Sequence, residues 1–148
     1  MEELKEIFSS IDMMFASCEL DYAELKSQNI DFTFFENHQN VRLVNSFLFG
    51  YSKIQDKIGA KLIKKVLYES KEIDGDNIAM RDVLNLSEKL GIIESIDIWD
   101  RLRAIRNNLA HEYPFHIQER LENLSLALEG YESARCIYDN LKSFAKLY

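Results

Sequence analysis

Proline and glycine are scarce in this chain, with one proline and five glycines among 148 residues, and their scarcity excludes a turn-rich β architecture. Long stretches without either residue favour helix. The two cysteines, Cys18 and Cys136, lie far apart, show no Cys-x-x-Cys spacing and have no neighbouring histidine pattern. Neither a zinc site nor a redox motif is written, and both read as buried free thiols. Positive charge is in deficit: 18 Lys and Arg face 25 Asp and Glu, a formal charge of −7. Proteins that coat nucleic acid by bulk electrostatics carry a basic surface, so that class is disfavoured, although a confined basic site on an acidic body is not. No apolar run is long enough to span a membrane. The start, Met1-Glu2-Glu3-Leu4-Lys5-Glu6, lacks the basic opening and apolar stretch of a signal peptide, so the expectation is a cytoplasmic protein without membrane partners.

What is abundant is apolar surface. Hydrophobic residues make up 47% of the chain, including nine Phe, seven Tyr and one Trp, enough to bury a core without metal or disulfide staples. The length suits one domain over residues 1–148.

Periodicity supplies the organisation. Leu4, Ile7, Phe8, Ile11, Met14, Phe15, Cys18, Tyr22 and Leu25 recur at steps of three and four and draw one stripe on a first helix. Ser27 to Asn40 breaks that pattern and reads as a packed loop, a short extended piece or a helical turn. Its Phe32, Phe34 and Phe35 are expected to plug one end of the core. A second, long helix runs from about Val41 to the Tyr68 region, weakened locally by Gly50 and Gly59. Asp74-Gly75-Asp76 lies in a polar turn without the later ligands of an EF-hand loop. A short helix from about Met80 to Leu90 is closed by Gly91, and Ser95 is placed to cap the next one. The last helix begins near Pro114 and carries Ile117, Leu121, Leu124, Leu128, Tyr131, Tyr138, Leu141 and Ala145 in an almost heptad pattern. An all-α, up-and-down bundle of four or five helices follows.

The fourth helix draws the functional argument. At about 100° per residue, Ile98, Leu102, Ile105 and Leu109 share a core-facing arc, whereas Asn107 and His111 point away from it, one turn apart. Arg103 sits near them and Arg106 on the flank. Tyr113 precedes Pro114, which disfavours helical geometry there, so a bend is expected that gathers Arg106, His111 and Tyr113 at one end. Arginine offers a fixed positive fork to phosphate oxygens, and histidine exchanges protons near neutral pH. The plain alternative is a solvated polar face with no chemistry. His38 and His116 have no partners at metal-ligand spacing, and Trp99 reads as a packing residue at the edge of the core or in a subunit contact.

Arg106-Asn107-Asn108-Leu109-Ala110-His111-Glu112-Tyr113 resembles the Arg-x-x-x-x-His-x-Tyr motif of HEPN proteins, including the polar residue after the arginine. The segment Leu84 to Ile93 is similar to the prokaryotic toxin branch of that family, which is paired with minimal nucleotidyltransferases. The resemblance implies a HEPN-like helical bundle and a metal-independent ribonuclease without cofactor, acting as a homodimer with RNA in a shared cleft. It also implies a toxin whose antitoxin is a nucleotidyltransferase. His111 would be the acid or base, Arg106 the phosphate stabiliser and Asn107 a positioning residue. Arg101 and Arg103 would add RNA contacts, and Tyr113 would be a candidate for modification with AMP or, equally, a packing residue. The ribonuclease reading requires Arg101, Arg103 and Arg106 to line a common groove. Two other readings stand beside it: a non-catalytic binding subunit of a nucleotidyltransferase, and a plain helical homodimer.

Overall fold

In the computed structural model, which describes residues 2–75, 77–109 and 116–146 and only the backbone of Ala60, the apolar stripes become helices packed side by side. Six α-helices and one short 3-10 turn are present, with no strand among the described residues. Helix α1 (Glu2–Lys26) carries acids in its first turn and a lysine in its last, matching the helix dipole at both ends. It buries Leu4, Phe8, Ile11, Phe15, Cys18 and Leu25. The undecided stretch after it resolves into a 3-10 turn over Phe34–Glu36. Phe34 and Phe35 are buried edge to face, with the Arg120 guanidinium 4.0 Å from the Phe35 ring centroid. Phe32 departs from expectation. It is 63% exposed, because the turn that sinks its two neighbours leaves it outside.

The long second helix is two helices. Asn37 caps α2 (His38–Ile58) by accepting from the Gln39 N–H at 2.8 Å. At Gly59 the backbone leaves helical geometry with ψ −169°, and α3 (Ala60–Glu69) starts afresh, the Gly59 carbonyl accepting from the Leu62 N–H at 3.1 Å. Glycine has the weakest grip on helical geometry apart from proline. The restart lets Leu62, Ile63, Val66 and Leu67 all reach the core. Helix α4 (Met80–Lys89) ends as expected: Gly91 adopts φ 77°, and the Ile92 N–H reaches back to the Ser87 carbonyl at 2.9 Å. Ser95 Oγ then accepts from the Ile98 N–H at 3.3 Å at the start of α5 (Ile96–Leu109). Helix α6 runs Ile117–Ala145. His111, Tyr113 and Pro114, and with them the expected bend, lie outside the described residues.

Contacts fix the directions. Asp21 and Cys18 of α1 meet Ser46 and Phe47 of α2, and Glu3 meets Lys65 of α3, so α1 and the α2–α3 arm are antiparallel. Tyr131 bonds Glu19 while Tyr138 bonds Asp12, so α6 also runs against α1. Asn140 meets the Ile92 carbonyl just before α5 and Glu129 meets Arg101 within it, so α5 runs against α6, while Arg106–Asp56 and Gln55–Leu102 join α5 to the end of α2. The result is an up-and-down bundle with α4 as a short connecting element. Gly130 of α6 sits where a Cβ would collide with the Tyr51 hydroxyl and lie 3.3 Å from Ile105 Cδ1. Together with Ala127 and Ala134, it lets α2 and α5 close on α6.

Two expectations about the outer face of α6 are corrected. Cys136 is exposed, since its neighbours Ala134, Ile137 and Tyr138 occupy the inward arc. Ile117 is 39% exposed, as the apolar stripe begins a turn or more later at Leu124. Cys18 is buried as expected, and burial pushes its thiol pKa up to about 12.

Three tyrosines stitch α1 to neighbouring α6. Tyr22 donates to Glu132 at 2.6 Å, Tyr131 to Glu19 at 2.5 Å, and Tyr138 to both Asp12 at 2.7 Å and the Phe8 carbonyl at 2.8 Å. Lys142 closes on Asp12 at 3.0 Å. Burial, then the bonded carboxylate, raises the pKa of each phenol, that of Tyr22 to about 12.

Candidate functional site at the junction of α2 and α5

Where the end of α2 meets α5, the bundle leaves a cleft of about 450 Å³. Residues at steps of three and four on α5 supply one wall: Trp99, Leu102, Arg103, Arg106 and Asn107. Gln55, Asp56, Ile58 and the Gly59 break supply the other, with Met80 at the start of α4, and Ala134 and Ile137 of α6 closing the floor. The floor is therefore apolar and the rim polar, the usual constitution of a small-molecule or base-binding site.

Arg106 is oriented by Asp56. Its Nε and Nη2 donate to Oδ1 and Oδ2 at 2.9 and 3.1 Å, a bidentate fork. Donating to the carboxylate raises the guanidinium pKa further. Two donors are engaged, and the remaining guanidinium N–H groups have no partner assigned among the described residues. On its other side the same pair bounds a shallow recess of about 290 Å³, lined by Leu48, Phe49, Ser52, Lys53 and Leu109. Gln55 fastens the two helices together, its amide Nε2 donating to the Leu102 carbonyl at 2.5 Å. Its Oε1 is buried without a hydrogen-bond partner, a state that costs about 1–3 kcal/mol when nothing relieves it.

Of the residues singled out from the sequence, Arg103, Arg106 and Asn107 come together in this cleft. Arg101 does not. It pairs with Glu129 of α6 at 2.8 Å, because at ~100° per residue it lies ~140° from Arg106, whereas Arg103 lies ~60° away. The groove thus holds two of the three arginines expected to share it. His111 and Tyr113 lie outside the described residues, so their distances to the cleft do not enter its description. Trp99, read as a packing residue, is 7% exposed and also forms cleft wall. Asp56 and Gln55 were not foreseen. The only signal for them was an acid and an amide beside the Ile54/Ile58 stripe, just before Gly59.

Among the described residues no group of three or more His, Cys, Asp or Glu is placed to hold a metal ion, and no helix is long and apolar enough to cross a membrane. Compared with known proteins, the chain matches no family model, no curated protein and no solved structure. The fold and site define an all-α bundle with an arginine-rimmed, apolar-floored cleft.

Proposed function

We propose that this chain is a metal-independent endoribonuclease whose reacting phosphate is held at the mouth of the α2–α5 cleft. The observation that carries the reading is the convergence of Arg103, Arg106 and Asn107 on one cleft, directly before the segment that contains His111. Attack by a ribose 2′-oxygen forms a new bond to phosphorus as the 2′-hydroxyl loses its proton. The P–O5′ bond breaks, the leaving 5′-oxygen takes a proton, and a cyclic phosphate remains. His111 supplies one or both proton transfers. Arg106, preset by Asp56, stabilises charge developing on the phosphoryl oxygens, and Asn107 positions the ribose. The resemblance of the motif to HEPN proteins adds a homodimer, a toxin role and a nucleotidyltransferase antitoxin that modifies Tyr113.

One observation favours a second reading. A carboxylate on Arg106 offsets part of the positive potential that a phosphorane would need, and a non-catalytic nucleotide-binding subunit has no such need. Incubating a mixed RNA with the protein in EDTA separates the two. The ribonuclease reading expects 2′,3′-cyclic phosphate ends from the wild type and none from folded His111→Ala or Arg106→Ala. A dimeric, unmodified wild type that leaves the RNA intact gives first place to the binding subunit.

A further inference from the structure

Phosphodiester cleavage by an arginine and a histidine needs charge and a proton carrier at a surface. It does not need an apolar cavity of about 450 Å³ behind the arginine. That cavity is the feature the reaction leaves unexplained. Its wall includes the indole of Trp99 and the thioether of Met80, two groups suited to the faces of a flat heteroaromatic ring. Single-stranded RNA is recognised in this manner, with a splayed base held against aromatic or apolar side chains and its edge read by hydrogen bonds.

We propose that the cleft seats one nucleobase bearing an exocyclic amino group, with the adjoining phosphate on Arg106. The inference rests on the phosphate assignment of the preceding section. The polarity of the cleft wall sets the preference. The Asp56 carboxylate has spare acceptor capacity after its two bonds from Arg106. Gln55 has committed its Nε2 to the Leu102 carbonyl, which leaves an unpartnered oxygen as its other polar atom. Of the two, the half-exposed carboxylate meets a ligand and asks it for N–H donors, whereas the Gln55 oxygen is buried out of a ligand's direct reach. Adenine, guanine and cytosine carry an exocyclic amino group on the Watson–Crick edge, whereas uracil offers only its N3–H, flanked on both sides by carbonyl oxygens that a carboxylate repels. The cleft therefore discriminates against uridine.

Trp99 is the sole tryptophan of the chain and lines the cleft, so its emission reports occupancy without any reaction. The full-length protein in EDTA is titrated with the four ribonucleoside 5′-monophosphates and with ribose 5-phosphate, equilibrium dialysis serving as a second readout. AMP, GMP and CMP are expected to alter the emission saturably, with UMP and ribose 5-phosphate each weaker by about tenfold, the scale of one well-formed base contact. Asp56→Asn, which offers a donor as well as an acceptor, is expected to narrow the gap to UMP. Should that variant fail to fold, the wild-type ranking decides alone.

Ribose 5-phosphate binding as tightly as the nucleotides, or four bases binding alike, overturns the proposal. So does the absence of nucleotide binding in a protein that cleaves RNA, an outcome that leaves the ribonuclease standing. Nucleotide binding in the expected order without RNA cleavage upholds the base site and removes the ribonuclease. A 2′-O-methyl dinucleotide, which cannot be cut by 2′-hydroxyl attack, identifies the source: tighter binding than the monophosphate marks an RNA strand, and weaker binding a free nucleotide.

Discussion

The seam between α1 and α6 and the cleft between α2 and α5 use polar groups in opposite ways. Along the seam, Tyr22, Tyr131 and Tyr138 each end on a carboxylate, and their rings pack at a tilt or edge to face against Phe15 and Phe47, with Tyr22 and Tyr131 stacked on each other. The hydroxyls are satisfied within the protein and the rings of Tyr131 and Tyr138 are buried, that of Tyr22 partly so, an arrangement that holds helices together. At the cleft, Arg106 retains donors beyond its pair, Gln55 retains an acceptor, and an apolar floor faces a void. Unsatisfied groups around a cavity weaken a fold and prepare it for a ligand. The comparison places the satisfied contacts on one side of the bundle and, on the other, the open cleft for which we propose chemistry.

The sharpest way to break this division is to remove a ring from the seam. Tyr138→Ala deletes a buried aromatic together with its bonds to Asp12 and Phe8, and is expected to cost about 3–5 kcal/mol in urea unfolding. Arg106→Ala is the converse experiment. We expect RNA cleavage to fall by about 10²–10³-fold, the cost of losing one preorganised donor to a developing oxyanion, with the unfolding midpoint nearly unchanged. A variant set in which Arg106→Ala destabilises as much as Tyr138→Ala would dissolve the distinction between the two regions.

Alkaline titration probes the seam most heavily, with the buried Cys18 thiol and Tyr51 phenol, both raised by burial, adding to the same fall. The tyrosine pKa values are raised by folding, so the sign is that of groups more readily protonated in the native state. Their contribution is full below the unfolded value of about 10 and is lost as pH climbs through the folded values. The Tyr22 value is about 12, and those of Tyr131 and Tyr138 are raised by burial and by their carboxylate partners. Urea midpoints measured from pH 8 to 11.5 should be flat and then decline. Tyr131 and Tyr138 each withdraw up to about 1.4 kcal/mol per pH unit, and partly exposed Tyr22 withdraws less. Tyr131→Phe should make that decline shallower; an unchanged slope would assign it to other groups.

What could be read from the chain beforehand follows the same geography. The α1 stripe, the Gly91 cap and the Ser95 cap are local, written in spacing and residue type, and the structure bears them out. Arg103, Asn107 and the flanking Arg106 were legible from the wheel of α5, and the same wheel applied more strictly would have set Arg101 aside. Gly59 was visible as a weak point, but whether a glycine bends or ends a helix depends on what packs against it. Asp56 and Gln55 were illegible because their partners lie 50 and 47 residues away. No local pattern announces a contact of that range. Cys136 was misread by residue type, its place on the α6 wheel having been the better guide.

A smaller effect tests how closely α2, α5 and α6 must approach to shape the cleft wall. In Gly130→Ala the new methyl meets the Tyr51 hydroxyl and crowds Ile105. Overpacking costs about 1–3 kcal/mol, against which the gain in helix propensity is about 1 kcal/mol, so a net loss of about 1 kcal/mol is expected. Tyr51 Oη is buried without a partner among the described residues. Adding Tyr51→Phe removes both the colliding oxygen and an unsatisfied hydroxyl, and the double variant should recover at least the wild-type midpoint. A double variant no better than Gly130→Ala would show that Ile105 is the obstacle.

The smallest effect is the most discriminating, because it concerns the pair that lies between the two readings of the cleft. Asp56 and Arg106 are 50% and 32% exposed at their side chains, and an exposed ion pair, even a bidentate one, contributes about 0–1 kcal/mol. Asp56→Ala should therefore shift the urea midpoint very little, and the residual shift should shrink toward zero as salt rises to about 1 M, where charges are screened over a few ångströms. Its effect belongs elsewhere: Arg106 loses the carboxylate that aims it, so the affinity of the cleft for a nucleotide and its preference among bases should change while the fold does not. A loss of several kcal/mol that persists at high salt would show that the carboxylate is holding α2 to α5, and the cleft would then join the seam as structure.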